Sequence, residues 1–550
     1  MPRITELKLP LDHDAAALEA AVRSALVLPP DATLSFTIAR RGYDARRRSA
    51  IQLVYTIDAR VPDEGECLRR CADNPRIGPI PDQTYRFIVD APNRAAPRPV
   101  VIGCGPCGLL AALTLAQMGF RPLILERGRI VRERTKDTWG LWRRGVLKPE
   151  SNVQFGEGGA GTFSDGKLYS GIKDSRHLGR KVLAEFVEAG APEEILYVSK
   201  PHIGTFRLVT VVEGIRRKIL ELGGEYRFDA RVESIDLDSE RRVRGLVLDG
   251  GEYIEATHVI LAIGHSARDT FAMLHDRGVY MEAKPFSIGV RIEHPQSLID
   301  RARFGAFAGD PTLGPADYKL VHHAANGRSV YSFCMCPGGR VVAATSEAGC
   351  VATNGMSQYS RAEFNANAGI VVGVTPADYP DGPLAGIAYQ RHWERLAFEA
   401  GGGTYAAPVQ TVADFLAGRP STDLGSVVPS YKPGVTPTDL ALCLPDFAVA
   451  AIREALPAFA RQIPGFAMDQ AVMTGVETRT SAPLRMTRRA DGQSVNTEGL
   501  FPAGEGAGYA GGILSAGVDG IRVAEAVAAR MTGRAPIESM VRGGASGVYG

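Results

Sequence analysis

Val100-Val101-Ile102-Gly103-Cys104-Gly105-Pro106-Cys107-Gly108 decides how this chain is read. Three residues suited to a buried strand run into glycines spaced G-x-G-x-x-G, and Leu109 to Met118 follows as a helix. That order is a dinucleotide-binding βα turn. Gly103 permits the tight turn, Gly105 lets the backbone approach a pyrophosphate, and Gly108 lets the helix lie close on the strand with its N-terminus facing the anion. Pro122 to Leu125 is a second strand, and Glu126 ends it about 20 residues past the glycines, where a carboxylate accepts from an adenosine ribose. No charge occurs between Arg98 and Arg121, roughly the length that spans a bilayer. Pro106 and the three loop glycines would break a membrane helix early, whereas the turn accounts for them.

Working outward, 550 residues with 45% apolar and 23% charged side chains give room for roughly two to four domains of ordinary soluble composition. Lys plus Arg total 63 against 61 for Asp plus Glu, so no global field points to nucleic acid or membrane. Met1 to Pro10 mixes charges with isolated aliphatics and carries no secretion-signal core, so a cytoplasmic location is expected. Eight cysteines in this length are not a disulfide framework. Cys67, Cys71, Cys350 and Cys443 read as isolated thiols. Cys104 and Cys107, though spaced C-x-x-C, read as small filler in the phosphate loop.

The chain predicts an α/β protein: a Rossmann-like dinucleotide domain, an inserted mixed α+β substrate domain, and a small N-terminal α+β domain. Residues 1–90 form the last of these, with a helix from Asp14 to Leu26 and alternating strands from Thr33 to Ala39 and Ile51 to Val61. Between the strands, Arg40, Arg41, Arg46, Arg47 and Arg48 are the densest basic cluster; they read as a solvated connection ahead of an RNA or phosphate site. Residues 91–99, with Pro92, Pro97 and Pro99, are a stiff linker. Residues 100–275 hold the first part of the nucleotide domain. There Phe155 to Leu168 is too glycine-rich for a regular element and reads as a loop whose amides come close to a ligand, anchored by Phe155, Phe163 and Leu168. Leu208 to Leu222 is a helix stopped by Gly223-Gly224. Val243 to Leu248 and Tyr253 to Ala256 form a hairpin about Asp249-Gly250-Gly251, and Val259 to Gly264 is a buried strand. Residues 276–480, without a second fingerprint, are the insert, 481–535 complete the nucleotide domain, and 536–550 are a tail.

The closing unit, Gly499 to Gly512, delivers Glu505 at a strand end and then a helix from Ile513 to Met531. An acid placed for sugar-like hydroxyls, followed by a helix N-terminus aimed at a polarisable ring, is the second half of an FAD site. One fingerprint binds any dinucleotide, but this pairing across about 400 residues suits FAD better than NAD.

These segments resemble a bacterial family of FAD-dependent dehydrogenases. The matching stretches are Asn152 to Leu168 (NVQFGEGGAGTFSDGKL), Gly264 to Thr270 (GHSARDT), Lys284 to His294 (KPFSIGVRIEH), Phe333 to Gly339 (FCMCPGG), Asn354 to Ser357 (NGMS) and Gly504 to Ile513 (GEGAGYAGGI). The family is similar to the wider group of p-hydroxybenzoate-hydroxylase-like and glutathione-reductase-like flavoproteins. The resemblance implies that the loop from Gly158 to Ser164 sits near the isoalloxazine and that Glu505, where the wider group more often has Asp, binds the ribityl chain. The residues assigned to the non-covalent cofactor are Gly103, Gly105, Pro106, Cys107, Gly108, Glu126, Arg127 and Arg134 in the first half. Gly158, Gly159, Ala160, Gly161, Thr162, Ser164 and Asp165 follow in the loop, then Val232 and Gly264, and last Gly504, Glu505, Gly511, Gly512 and Ile513.

The activity expected is hydride transfer between flavin N5 and a small organic substrate, with NADH or NADPH a transient donor. A flavin monooxygenase, an RNA-associated flavoprotein and a non-catalytic FAD-binding protein are the alternatives. Lys167, His265 and Asp165 are candidates for proton transfer. Asp269 reads as a partner of Arg268. Cys334 and Cys336 read as structural packing ahead of a thiol redox pair or a substrate-side acid, since C-x-C closes a strained ring.

Overall fold

The structure is a computed structural model, which describes residues 1–90 and 97–534; most of the linker expected at 91–99, Pro92 included, and the tail expected at 536–550 lie outside them. Its centre is a five-stranded parallel sheet in the order Leu500–Pro502, Val259–Leu261, Val100–Ile102, Leu123–Leu125, Glu225–Arg227. All but the last strand are three-residue apolar runs buried on both faces, as a parallel sheet covered by helices requires. The helix Pro106–Gln117 leaves the glycine turn, and the helix Ile513–Met531 packs along it. They approach closely because a Cβ on Gly520 would lie 2.2 Å from the Cys107 carbonyl oxygen. Cys107 also borders Gly504, where a Cβ would meet its own at 2.8 Å. A small side chain is what this gap admits.

Residues 100 to about 275 also carry an antiparallel three-stranded sheet, Tyr253–Glu255, Val243–Leu248, Val232–Leu237. The hairpin turns at Gly250 and Gly251, both with positive φ. Between 286 and 477 runs a seven-stranded sheet, antiparallel except for one edge pair: Val321–His323, Ser329–Cys336, Asn365–Val374, Phe286–Pro295, Val472–Glu477, Ala407–Thr411, Val435–Pro437. Its strands and the helix Asp446–Gln462 build the largest apolar core.

After Glu126, Val131–Arg144 is a helix closed by a left-handed Gly145. Two local expectations change. Arg40 and Arg41 belong to the strand Ser35–Asp44, and only Arg46, Arg47 and Arg48 lie in the connection to Gln52–Arg60. The strand continues because its edge is paired, with the Arg41 amide donating to Tyr197 O (2.6 Å) and Ser199 N to Arg41 O (2.8 Å). Asp269 pairs with Arg127 and Arg231, not with Arg268. No helix among the described residues is long and apolar enough to cross a membrane.

Candidate functional site

The first glycine turn is shaped by what would collide with it. A Cβ on Gly108 would fall 2.0 Å from Gly103 O, and one on Gly103, whose φ is +96°, 2.4 Å from Ala262 O. Gly105 differs, with an ordinary φ of −79° and Gly159 Cα at 3.6 Å the nearest atom to an added Cβ. Gly103, Gly105 and Pro106 stay half-buried, and no side chain caps the helix that starts here, so its free amides face open space. Glu126, expected to meet a ribose, has a second duty. Its carboxylate accepts from Cys104 N (2.9 Å), Gly128 N (2.9 Å) and Gly156 N (3.0 Å), which leaves about one lone-pair direction for a ligand.

The glycine-rich loop is held from behind. Arg134 has no exposed surface and donates to the carbonyls of Asn152, Val153, Gly156 and Glu157 at 2.7 to 3.2 Å. Burial lowers its pKa to about 10, partly offset by Glu126. Arg134 therefore shapes the loop and presents nothing to a ligand. Gly158 N donates to Cys104 O (2.8 Å), which places the loop against the phosphate turn. Ala160–Phe163 forms one 3-10 turn, with Gly161 against Ile513 at the start of the second glycine helix. Thr162 is buried, as is Val232 at the start of the mostly uncovered strand Val232–Leu237, while Gly159, Ala160, Gly161 and Ser164 stay half-buried.

The second glycine unit closes on the same space. Gly504 N donates to Asp519 (2.7 Å), which Arg488 also holds (2.9 and 3.0 Å). A Cβ on Gly506 would strike Gly264 O at 2.4 Å, so the strand ends at 264 and 504 meet. Gly264 and Gly512 have open space where a Cβ would stand, Gly511 and Gly512 are exposed, and no side chain caps the helix Ile513–Met531. Glu505 is half-buried, and burial pushes its carboxyl up to about 7 against the pull of Lys284. Burial lowers Lys284 in turn, with Glu505 opposing.

Lys167, Cys334 and Cys336 come together. The Lys167 ammonium donates to Met335 O and lies 3.6 Å from Asp165. Burial opposes its charge, but Cys334, Asp165 and Cys336 outweigh burial and raise its pKa. Burial likewise works against an ionised Asp165, but Lys167 and Arg361 prevail, the latter through bonds of 3.0 and 2.5 Å, and hold it well below the usual carboxylate range. His265 stands with other partners: Ser266 at 2.9 Å, and the cluster of Arg479, Arg268 and Glu394. Burial, then Arg479 and Arg268, lower it to about 3, so it is neutral at any physiological pH. Residue reasoning passed over Lys284, Arg291, Glu477 and Arg361. The first two lie inside the KPFSIGVRIEH stretch, where a lysine and an arginine in a strongly apolar strand were the available signal.

A cavity of about 370 Å³ lies beside Arg127 and Ser266, which follow the strand ends at 125 and 261; Phe155, Arg268, Glu347 and Arg391 also line it. Arg127 covers the Phe155 ring at 4.1 Å and is paired to Glu150 and Asp269. Glu347, Cys350 and Glu394 bring ligand-type atoms within 4.8 Å of one another. Glu394 is already bonded to Arg268 and Arg479 at 2.8 to 3.1 Å, so the group is an ion-pair network.

The residues fit a flavin dinucleotide on two observations. The helix starts at Pro106 and Ile513, neither capped by a side chain, both lie against Gly161, and Gly264 and Gly512 leave space that a Cβ would fill. Comparison with known proteins agrees in part. Residues 285–480 match the family model "FAD-dependent protein, C-terminal domain-like", and residues 1–60 match a domain of unknown function. An uncharacterized protein of Clostridium beijerinckii is 46% identical over 525 residues, which is 95% of this chain and 98% of that one. Among solved structures, the halogenase PltM is 13% identical over 81% of this chain and 72% of its own, with a TM-score of 0.37. The flavin-dependent brominase Bmp2 is 13% identical over 80% and 81%, with a TM-score of 0.35.

Proposed function

The chain belongs to the family of that Clostridium beijerinckii protein, and from this premise we propose that it is an FAD-dependent oxidoreductase acting on a small organic substrate by hydride transfer. The observation that carries the reading is the pair of uncapped helix starts at Pro106 and Ile513, which meet across Gly161. The family match over 285–480 supports it. When bound, FAD supplies the two-electron chemistry at its ring.

The chain's own residues divide the remaining work. The amides after Gly105 hold the pyrophosphate, and the one free acceptor direction of Glu126 takes a ribose hydroxyl. The amides after Gly512 stabilise negative charge on the pyrimidine side of the ring. Lys167 and Asp165 both stay charged and orient the substrate. Glu505, whose carboxyl titrates near neutrality, is the group that holds a proton at lower pH and releases it above. His265, neutral and bonded to Ser266, keeps a structural place.

The test is direct. Purified protein should be yellow and release FAD on denaturation, and the flavin should bleach anaerobically with a subset of small organic reductants. A correctly folded protein that is colourless and refuses added FAD refutes the cofactor. A loaded protein whose turnover hydroxylates the substrate with oxygen uptake refutes simple hydride transfer.

A further inference from the structure

Eight free cysteines divide sharply by surroundings. Seven are buried; Cys334 alone keeps exposed surface. It also has a φ of +41°, a left-handed conformation that is uncommon for a side chain without a local reason. The reason is a bulge. Pairing of Ser329–Cys336 with Asn365–Val374 slips between Phe333 and Cys336, and two cations pin the displaced peptides. Arg291 donates to Cys334 O (2.8 Å) and Lys167 to Met335 O. Arg291 is itself fixed by Glu477 (2.6 and 3.0 Å) and Asn367 (3.1 Å). The bulge is thus built from three separate segments, and the bond from Lys167 sets it against the end of the glycine-rich loop.

We propose that Cys334 and Cys336 are a redox-active dithiol that exchanges two electrons with the FAD of the proposed site; the inference rests on that reading of the cofactor. Cys334 is the ionised member. In the structure the Cys336 thiol donates to the Cys334 carbonyl oxygen (3.3 Å). The Cys336 side chain, then Lys167 and Arg291, hold the Cys334 thiol well below the usual thiol range against the effect of burial and of Asp165. Cys336 is fully buried and moves the opposite way, raised by its Cys334 neighbour and by burial. A thiolate beside a protonated thiol two residues away is the pairing from which a disulfide forms. In the step, the Cys334 thiolate and the Cys336 thiol form one S–S bond and lose one proton and two electrons. The FAD takes the two electrons and two protons, one from Cys336 and one from water. In a regular strand alternate Cα atoms stand about 6.6 Å apart, near the upper limit for a bridge, and the bulge at Cys334 departs from that spacing. Such a disulfide is strained and readily reduced, as a catalytic one must be.

The experiment combines an electron count with a peptide map on the air-oxidised holoprotein. Stepwise anaerobic dithionite is expected to deliver four electrons per FAD before the flavin is fully bleached. After alkylation and trypsin, the peptide Ser329–Arg340, which holds both cysteines and no other, should be unlabelled before reduction and doubly labelled after it. C334S and C336S should each take two electrons per FAD. A wild-type count of two electrons, with Cys334 alkylated in the oxidised protein, overturns the proposal without needing any variant to fold. If the protein takes up no FAD, the cofactor reading fails. The peptide map with diamide as oxidant then judges the pair alone, and a failure to bridge overturns it.

Discussion

Gly105 and Gly108 belong to one motif, yet the structure separates what each is for, and Ala substitutions expose the difference. At Gly105 the backbone is already ordinary and the added Cβ meets only Gly159 Cα at 3.6 Å. Lost chain entropy in the unfolded state favours Ala slightly, and the poorer N-cap disfavours it slightly, so Gly105→Ala should change stability by no more than about 1 kcal/mol. The same methyl stands where a pyrophosphate must approach. Forcing the ligand off two charged amide contacts of about 1.5–3 kcal/mol each removes about 3–6 kcal/mol of binding, or roughly two to four decades in FAD affinity. Gly108→Ala reverses the pattern. Its Cβ would stand 2.0 Å from Gly103 O, and moving the helix off the strand should cost about 3 kcal/mol or more before any ligand is added. Urea denaturation of unloaded protein and FAD titration of the same samples separate the two effects. If Gly105→Ala binds FAD as the wild type does, or unfolds as early as Gly108→Ala, the assignment of the hollow to the pyrophosphate is wrong.

Other outcomes follow from the same contacts. Arg134→Met should lower stability by about 3–5 kcal/mol, because four buried carbonyls lose their donor; Arg134→Lys should rescue little, since an ammonium cannot reach all four, and thermal melts would show it. Glu394→Gln should destabilise by about 3–5 kcal/mol by leaving Arg479 buried without a counter-charge and Arg268 with Glu347 alone, and a mutant as stable as the parent in urea would contradict this. His294 is fully buried and donates to Phe466 O, and burial lowers its pKa to about 4. The folded state then binds fewer protons than the unfolded one between pH 4 and 6.5, so stability falls as pH drops through that window. Between pH 7 and 5 the share of this loss that belongs to His294 should be about 2 kcal/mol, so His294→Gln should lose about that much less than the parent, while the share of His265 remains, as denaturation at the two pH values would show.

The parallel sheet was legible in the sequence because its strands are short apolar runs ending in glycine or acid, and nothing but a covered α/β sheet makes Val100–Ile102 and Val259–Leu261 wholly apolar. Both glycine helices were legible from their starts. Arg134 was not, because its role is set by carbonyls of residues 152–157, whose direction no pattern in the sequence encodes. The helix Val131–Arg144 was not predicted for a related reason: its charges hide a helical face of Val131, Arg134, Thr138, Leu141 and Trp142, one of whose buried members is an arginine. His265 looked available because it follows a strand end, but burial, and then Arg479 more than 200 residues further along the chain, keep it neutral.

The two close-spaced cysteine pairs show how far the environment, and not the spacing, sets chemistry. Cys104 and Cys107 have the spacing associated with redox motifs, yet both are fully enclosed at the phosphate turn and are raised well above the usual thiol range, first by burial and then by neighbouring carboxylates. Cys104 offers its backbone to Glu126 and Gly158, and Cys107 fills the gap between Gly504 and Gly520. Their size is what the site uses. Cys334 and Cys336 have the less favourable spacing, but Lys167 and Arg291 converge on their bulge from two other segments, and the less buried thiol is the one whose pKa falls. Serine at 104 or 107 should therefore disturb packing and leave the electron count unchanged, whereas serine at 334 should leave packing nearly intact and halve the count. An electron count that falls with the first pair and holds with the second would reverse the assignment.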